Sequence, residues 1–337
     1  MPLQQFIQTY LPAIEEELQA AVAHSQAQHY AELHKMMRYH MGWEGEGAGP
    51  KATGKRVRPL LVLLSNAAAG GKWQNALPAA AAVELVHNFS LVHDDIEDNS
   101  PLRRGRPTVW KIWGLAQAIN TGDTLFTLAH LEIFELRRSV SAEIILEAAN
   151  LLQQTCVHLT QGQFLDISYE NRDDLTLDDY WPMVSGKTAA LLAACTELGA
   201  VVAGSDTTIR CAYRNFGRDL GLAFQALDDY LGIWGDVSET GKSAASDLVE
   251  GKKSLPVLYG LQQNGEFAAR WHQGPISPAE VPALADQLAE EGGKDYTQRQ
   301  AEHLTTQALD ALEAAHPQGQ AGEALVKLAR TLLKREV

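Results

Sequence analysis

Two acidic clusters in this sequence each end an apolar stretch with helical spacing. The first is His-Asp-Asp-Ile-Glu-Asp at residues 93–98, after the mostly apolar residues 79–92. The second is Asp228-Asp229, after Leu-Gly-Leu-Ala-Phe at residues 220–224. A fold gains nothing from carboxylates crowded at the end of an apolar helix unless a cation meets them. These clusters therefore constrain the fold and its chemistry together.

The first cluster has the spacing of a metal-binding helix end. Residues four apart share a helix face, so Asp94 and Asp98 point the same way, with Asp95 beside them. Like charges at this spacing repel by roughly 0.2–0.5 kcal/mol per pair. Oxygen ligands without cysteine suit Mg²⁺, which is usually held by one or two carboxylates plus phosphate oxygens. The alternative is a solvated acidic helix end balanced by Arg103 and Arg104, but a second Asp pair about 130 residues later favours metal.

Charge and composition exclude several classes of protein. The 337 residues carry a formal net charge of −14, and the isoelectric point is near 5.2. No basic stretch is long enough to follow a nucleic-acid backbone, so nucleic acid is not an expected partner. Cys156, Cys195 and Cys211 are widely spaced in apolar helical contexts and are interpreted as core thiols in a reducing compartment. Residues 1–18 lack the pattern of a secretory signal, and no apolar stretch could span a bilayer, so we expect a soluble cytoplasmic protein.

Apolar spacings of three and four recur along the chain, and no convincing run of alternating β-branched residues interrupts them. The sequence therefore predicts an all-α protein, a single domain over residues 1–337 with helices around a central cavity. The predicted helices span residues 3–40, 58–70, 76–98, 107–137, 141–170, 177–203, 206–235 and 254–263, with two more between 278 and 335.

Residues 50 to 260 resemble the trans-isoprenyl diphosphate synthases, also called polyprenyl synthetases, and within them the geranylgeranyl diphosphate synthases. The resemblance implies a single helical bundle of the isoprenoid synthase type. Its motifs come in the family's order: Gly-Lys-Arg-Val-Arg-Pro at 54–59, the helix end at 86–95, Arg-Arg-Gly-x-Pro-Thr at 103–108, Gly162-Gln163 with Asp166, Lys187-Thr188, Phe-Gln-x-x-Asp-Asp at 224–229, and Gly241-Lys242 through Asp247-Leu248 to Lys252.

The resemblance assigns roles to these residues. Two or three Mg²⁺ ions per site would be held by five carboxylates: Asp94, Asp95, Asp98, Asp228 and Asp229. The allylic diphosphate would be bound by Arg103, Lys187, Lys252, Gln225, Thr188 and Lys242. Isopentenyl diphosphate would be bound by Lys55, Arg58, His87 and Arg104. Taken singly, Lys55, Arg58 and Lys242 could be surface charges and His87 an ordinary helix histidine. The resemblance also implies a homodimer.

The mechanism implied is metal-assisted ionisation of an allylic diphosphate, followed by alkylation of isopentenyl diphosphate. Phe89, five residues before the first Asp, would form the floor of the product pocket together with Ser90. Helical spacing puts Ser90 beneath Asp94 on its face, whereas Phe89 projects more to the side. A bulky Phe89 with an uninserted Asp-Asp-x-x-Asp motif indicates geranylgeranyl diphosphate as product, with farnesyl diphosphate as the alternative. Core packing is the simpler explanation of Phe89.

Two positions depart from the family pattern. A third Asp usually follows four residues after the first of the second pair, but here that residue is Gly232. Asp236 lies roughly 10.5 Å further along a helix than Asp229, too far to share the same ion. Ala245 stands where glycine is common. We therefore still expect synthase activity, and we expect the third ion site to be altered.

Three other functions stay open at the level of sequence. A terpene cyclase shares the helical architecture and an aspartate-rich motif, but has no second diphosphate to bind through Lys55, Arg58 and His87. A catalytically silent partner subunit would have lost more acids or lysines than this chain has. A nonenzymatic helical scaffold would have no use for two carboxylate clusters.

Overall fold

A computed structural model describes residues 2–24, 27–235 and 246–333. Helices dominate this part of the chain, and its one sheet is a short antiparallel hairpin of Leu102–Arg103 (β1) and Arg106–Pro107 (β2). The prediction of an all-α protein is confirmed. Lys242, Asp236 and Ala245 lie outside the described residues.

The α-helices of the described residues are numbered α1 to α17 in chain order. They are Pro2–Ala23, Ala31–His40, Pro50–Thr53, Val57–Ala68, Leu77–Glu97, Val109–Trp113, Leu115–Ile133, Ala142–Tyr169, Leu177–Val184, Ala190–Val202, Thr207–Trp234, Ser246–Val249, Leu255–Gln263, Glu266–Trp271, Val281–Glu290, Gly293–Ala314 and Gly319–Leu333. Three 3₁₀ turns, Gln28–Tyr30, Trp73–Ala76 and Phe134–Arg138, and one π turn, Ser185–Ala189, add to them.

Three long predicted helices are interrupted. The predicted helix 3–40 is wrong as one piece, because Ala27 has an extended backbone and α2 begins only at Ala31. The predicted helix 107–137 breaks at Gly114, whose φ of +84° suits glycine and not a helix interior. The predicted helix 177–203 contains the π turn Ser185–Ala189. Toward the end of the chain, residues 278–335 form three helices instead of two, and Glu266–Trp271 is an additional short helix.

The described chain forms two compact units. Of the described residues, the first unit contains those within 1–156, 194–211 and 315–325, and the second contains those within 157–193, 212–314 and 326–333. Because each unit is assembled from separate stretches, neither is a consecutive piece of sequence. The single domain over residues 1–337 stays a prediction.

Helix α5 is the centre of the first unit. Residues 78–86 are all buried, so the helix is covered on every side at its start, and it packs against α7, α4 and α1. Gly122 of α7 lies against the His93 ring, where any larger residue would overlap it. The close approach of α7 therefore supports the end of α5 that carries the first acidic cluster.

A buried ion-pair network fixes the segment before α4. The Arg56 guanidinium donates to Glu84 at 2.8 Å and to Glu15 at 2.7 Å, and only 4% of Arg56 is exposed. The Trp43 indole donates to the same Glu15 at 2.7 Å. A buried arginine needs such partners, because an unpaired charge in the interior is strongly destabilising. The network ties α1 and α5 to the turn that holds Lys55.

The second unit has its own apolar core. Nine buried residues form it: Ile233, Leu248, Val257, Phe267, Ile276, Val281, Leu284, Ala285 and Leu288. Leu248 belongs to the short helix α12 and Ile233 to the end of α11, so this core fixes α12 against α11.

None of the helices among the described residues is long and apolar enough to cross a membrane. Cys156 and Cys195 are buried, as expected of core thiols, and burial raises the pKa of Cys156 to about 11. Cys211 is only partly buried.

A buried carboxyl group gives the first unit a predicted pH dependence. Glu132 is 2% exposed, and burial with the nearby Glu17 carboxyl raises its pKa from 4.5 to about 8. Its folded form thus keeps a proton that the unfolded chain releases. This contribution to stability is complete below about pH 4.5 and is lost as the pH rises through about 8.

We expect Glu132→Gln, which is neutral at every pH, to reduce the fall in the free energy of unfolding of the metal-free protein between about pH 5 and pH 8. Chemical denaturation at several pH values measures it. Glu143→Gln, at an exposed position of α8, should follow the wild-type profile. Equal pH profiles for Glu132→Gln and wild type would contradict a protonated Glu132.

Candidate active site

The first acidic cluster, Asp94, Asp95 and Asp98, lies at the C-terminal end of α5, as predicted. Asp94 is half-buried and Asp98 is exposed. Asp95 turns inward, with 2% exposed, and accepts a hydrogen bond at 2.8 Å from Nε of Arg103. Burial raises the pKa of Asp95 to about 6, although Arg103 opposes the shift. Carboxylates at a helix C-terminus oppose the helix dipole, so Asp94 and Asp98 favour a cation there.

The β-hairpin after α5 presents two arginines. Arg104 and Gly105 form its turn with positive φ values, the geometry of a type I′ turn. The Arg104 guanidinium donates to the Ala52 carbonyl at 2.6 Å. It lies against Gly54, where a side-chain carbon would be 2.7 Å from the guanidinium carbon. The glycine before Lys55 therefore makes room for Arg104.

Arg106 anchors the hairpin. Its guanidinium donates to the carbonyl oxygens of Tyr39, Glu44 and Glu46 at 2.7–2.9 Å and lies 4.0 Å from the centre of the Tyr39 ring. The sequence analysis did not single out Arg106, because its partners are backbone carbonyls about 60 residues away. By holding β2 in place, Arg106 positions Arg103 on β1 and Arg104 in the turn.

Arg58 and His87 form a second set of groups in the first unit. They lie 3.2 Å apart, Nη1 to Nε2. Burial, with Arg58 and Arg104 nearby, lowers the pKa of His87 well below its usual value, so its neutral ring accepts from Arg58. Lys55 is exposed at the start of the same segment. Of the predicted group Lys55, Arg58, His87 and Arg104, the structure thus brings a neutral His87 together with Arg58 and Arg104.

His40 is a histidine that the sequence analysis missed. It lines a pocket with Asp95, Arg103 and Arg104. Burial and the nearby arginines lower its pKa to about 3, and its Nε2 has no hydrogen-bond partner. His40 lies on α2, far along the chain from Arg103 and Arg104, and no sequence spacing predicts their proximity. Only the fold identifies His40 as part of this pocket. The pocket is cationic and suits an anion.

Phe89 and Ser90 lie one turn before the first acidic cluster and are both half-buried. The Phe89 ring is 4.8 Å from the Phe126 ring and 5.0 Å from the His93 ring, and Phe126 in turn contacts His130. The Ser90 hydroxyl donates to the His87 carbonyl at 2.9 Å. Phe89 is therefore held in an aromatic layer between α5 and α7, whereas Ser90 is small and satisfied within its helix.

In the second unit, α8 crosses the α9–α10 segment at a pair of glycines. A side-chain carbon on Gly186 would lie 2.7 Å from Cα of Gly162, so only glycine allows this approach. The crossing coincides with the π turn Ser185–Ala189, a feature frequent at functional sites. Lys187 in this turn forms an ion pair with Asp166 of α8. The sequence identified Gly162, Asp166 and Lys187, but not the contact that unites them.

The second acidic cluster, Asp228 and Asp229, lies on α11. Asp229 is buried and accepts from Gln225 Nε2 at 2.9 Å, from the Tyr180 hydroxyl at 2.7 Å and from the Leu255 amide at 2.8 Å. Burial raises its pKa to about 6 despite these donors. Asp228 is half-buried. Tyr180 is a further residue that no sequence pattern indicated.

Two other predicted residues join this second set. The Thr188 hydroxyl donates to Gln225 Oε1 at 3.0 Å, which links the π turn to Asp229 through Gln225. Lys252 is half-exposed; its Nζ is 2.7 Å from Glu250 and 3.7 Å from Asp247. Its cation is therefore at the edge of the acidic cluster.

The carboxylate oxygens of Asp94 and Asp98 in the first unit, and separately those of Asp228 in the second, are of the kind that a hard divalent cation such as Mg²⁺ prefers. Among the described residues, no three acidic, histidine or cysteine side chains are grouped to hold a metal by themselves. A bound ion would take phosphate or water oxygens as further ligands, as Mg²⁺ commonly does.

Comparisons with known proteins agree with these features. The geranylgeranyl diphosphate synthase of Mycobacterium tuberculosis is 39% identical over 312 residues, 90% of this chain and 87% of that protein. The (2E,6E)-farnesyl diphosphate synthase of Mycobacterium bovis is 39% identical over 288 residues, 82% of this chain and 79% of that protein.

Solved structures share the fold. The polyprenyl synthetase from Streptomyces coelicolor A3(2) has a TM-score of 0.87 at 36% identity, with 98% of this chain and 99% of that chain covered. The geranylgeranyl pyrophosphate synthase from Corynebacterium glutamicum, complexed with isoprenyl diphosphate and magnesium, has a TM-score of 0.83 at 26% identity over 99% of each chain. The predicted isoprenoid synthase type of fold is confirmed. The family model of polyprenyl synthetase matches residues 49–288, and the chain belongs to this family.

Proposed function

We propose that this protein is a short-chain trans-prenyltransferase that condenses isopentenyl diphosphate with allylic diphosphates to give geranylgeranyl diphosphate. The observation that carries the proposal is the Arg58–His87 pair with Arg104 nearby, a cationic group made of residues other than those that would bind the allylic diphosphate. A cyclase binds one diphosphate and has no use for this cationic set. The names of the relatives support both the twenty-carbon and the fifteen-carbon product.

The first step is ionisation of the allylic substrate. Its carbon–oxygen bond breaks, and the electron pair leaves with the diphosphate. Arg103, Lys187 and Lys252, with Thr188 and Gln225, would bind that diphosphate; Lys242 is predicted to join them. Arginine suits paired contacts to phosphate oxygens, and lysine contributes a compact charge.

Mg²⁺ held by Asp94, Asp98 and Asp228 would supply Lewis acidity toward the departing diphosphate. Asp95 is engaged by Arg103, and Asp229 by Gln225 and Tyr180. These two carboxylates would hold the cationic and amide groups in position, and their part as direct metal ligands stays a prediction, as does the number of ions.

The second step forms the new carbon–carbon bond. The double bond of isopentenyl diphosphate attacks the allylic cation, and a proton then leaves to the released diphosphate. Lys55, Arg58, His87 and Arg104 would bind the isopentenyl diphosphate. The neutral His87 accepts from Arg58 and so orients its guanidinium. Water has to be kept from the allylic cation, because it would convert the cation to an alcohol.

Incubation of the purified protein with Mg²⁺, labelled isopentenyl diphosphate and dimethylallyl, geranyl or farnesyl diphosphate tests the activity. We expect geranylgeranyl diphosphate as the end product, and a loss of about 100-fold or more in turnover for Asp94→Asn, because one charge-stabilising group at the reaction centre is removed. Asp310→Asn, at an exposed position of α16, is the matched control.

Absence of elongation with every primer would overturn the synthase assignment. A cyclic product formed without isopentenyl diphosphate would identify a cyclase. A product that stops at fifteen carbons would identify a farnesyl diphosphate synthase.

Phe89 is proposed as the floor that limits product length, held by the Phe126 ring. Phe89→Ala should extend the end product by five carbons or more, because it removes a ring from the aromatic layer. Chromatography of the dephosphorylated products measures the change. Phe6→Ala, at another half-buried phenylalanine that packs on one aromatic neighbour, should keep the twenty-carbon product. An unchanged product in Phe89→Ala would leave Phe89 with a packing role alone.

We further propose a homodimer, on the family resemblance and on exposed apolar residues. Leu115, Ile119 and Leu131 of α7, and Phe134 after it, are 41–55% exposed in the first unit. Apolar groups grouped on one helix are typical of a surface that a partner covers. The cytoplasmic location and the absence of a nucleic-acid partner stay predictions.

Light scattering on the purified protein should give about twice the chain mass of 36.8 kDa. Leu131→Glu should shift it toward the monomer, since a charge would be buried in the interface. Val249→Glu, an exposed apolar position of the second unit, should leave the mass unchanged. A monomeric wild type would contradict the dimer.

A further inference from the structure

Lys253 follows directly after Lys252, and the two lysines have different partners. Lys253 is half-buried, and its Nζ donates to the carbonyl oxygens of Tyr169 and Glu170, both at 2.9 Å. Lys252 is half-exposed, and its Nζ lies 2.7 Å from the Glu250 carboxylate. The sequence analysis assigned a role to Lys252 alone.

The carbonyl groups that Lys253 contacts lie at the C-terminal end of α8, which ends at Tyr169. Carbonyls at a helix C-terminus lack partners within the helix and form the negative end of its dipole. A lysine side chain there supplies both the missing donors and a favourable positive charge. Lys253 therefore caps α8, although it lies 84 residues further along the chain than Tyr169.

The segment that carries both lysines is also bonded at two other points. The Lys252 amide donates to the Asp247 carbonyl of α12 at 2.9 Å, and the Leu255 amide donates to Oδ2 of Asp229 on α11 at 2.8 Å. Both of these bonds start from the backbone of the segment. The bonds to α8 start from the Lys253 side chain, so a substitution can remove them and leave the backbone bonds in place.

The capped end of α8 carries a residue of the candidate site. Asp166 lies three residues before Tyr169, on the same helix face, and forms an ion pair with Lys187 of the π turn. The position of Lys187 thus depends on α8, whereas that of Lys252 depends on its own segment. The Lys253 side chain joins that segment to α8.

We infer that Lys253 is a positioning residue for the allylic diphosphate: by bonding to the end of α8, it sets Lys252 at a fixed distance from the Lys187–Asp166 pair. This inference rests on the proposed function, in which Lys187 and Lys252 bind that diphosphate. Lys253 would not touch the ligand, because its ammonium group is directed to the two carbonyls. A small displacement of a binding group is enough to weaken its contribution strongly.

Binding of geranyl diphosphate with Mg²⁺ and without isopentenyl diphosphate, measured by calorimetry, tests the inference. Lys253→Met keeps the apolar stem of the side chain and removes its donors and charge. We expect its affinity for geranyl diphosphate to fall about 10-fold or more. Lys253→Arg, whose guanidinium can donate to both carbonyls, should regain most of that affinity. Lys72→Met, at an exposed position of the first unit, should bind as wild type does.

The second substrate supplies an internal control. Lys55, Arg58, His87 and Arg104, proposed to bind isopentenyl diphosphate, belong to the first unit, whereas Lys253 belongs to the second. The KM for isopentenyl diphosphate should therefore stay at its wild-type value in Lys253→Met. General damage to the fold would raise both values.

Two further measurements separate positioning from an independent effect. If Lys253 acts through Lys252, Lys253→Met should weaken binding much less in a Lys252→Met background than in wild type, whereas independent effects would multiply. Hydrogen exchange reports the cap itself: the amides of Glu170 and Arg172, which donate to carbonyls of the last turn of α8, should exchange faster in Lys253→Met. Thermal unfolding shows whether each variant folds.

The outcomes distinguish this inference from the proposed function. Wild-type affinity for geranyl diphosphate in folded Lys253→Met, in a protein that elongates isopentenyl diphosphate, would overturn only the role of Lys253. An equal loss in both backgrounds, or unchanged exchange at the end of α8, would do the same. A wild-type protein that neither binds geranyl diphosphate nor elongates would overturn the proposed function as well.

Discussion

A carboxylate that is buried away from water needs hydrogen-bond donors or a cation. The two members of each Asp pair differ in burial and therefore in role. Asp95 is buried and bonded to Arg103, while Asp94 keeps part of its surface. Asp229 is buried and takes three donors, while Asp228 keeps part of its surface. The inner carboxylate fixes the groups around it, and the outer one stays partly exposed. Consecutive residues on a helix differ in direction by about 100°, which makes this division natural.

The arginines of the first unit divide in a similar way. Arg56 and Arg106 are buried, and their donors are used by acidic side chains or backbone carbonyls. Arg106 anchors the hairpin that carries Arg103 and Arg104, and these two line an anion-suited pocket. A cationic site in an acidic protein thus depends on further arginines that no substrate would touch.

The sequence predicted the helical class, the helix ends that carry both acidic clusters, and the motifs that later agreed with the family, because these depend on local spacing. It did not predict Tyr180, His40 or Arg106, whose partners lie far along the chain and depend on tertiary packing. Helix interruptions were missed where one residue decides them, as at Gly114. Asp247 was noted as part of a motif, but its 3.7 Å distance from Lys252 Nζ could not be derived from spacing.

The π turn Ser185–Ala189 requires a fixed number of residues at this point of the chain. Such a turn closes over five residues where an α-helix uses four, so it holds one additional residue. Deletion of one residue within it would restore a regular α-helix. The segments before and after would keep nearly their present directions, because the wide turn absorbs the additional residue, but the residues of the turn itself would be repositioned. Lys187 and Thr188 would then no longer address Asp166 and Gln225 together. The number of residues in this turn is therefore as much a part of the site as their identity.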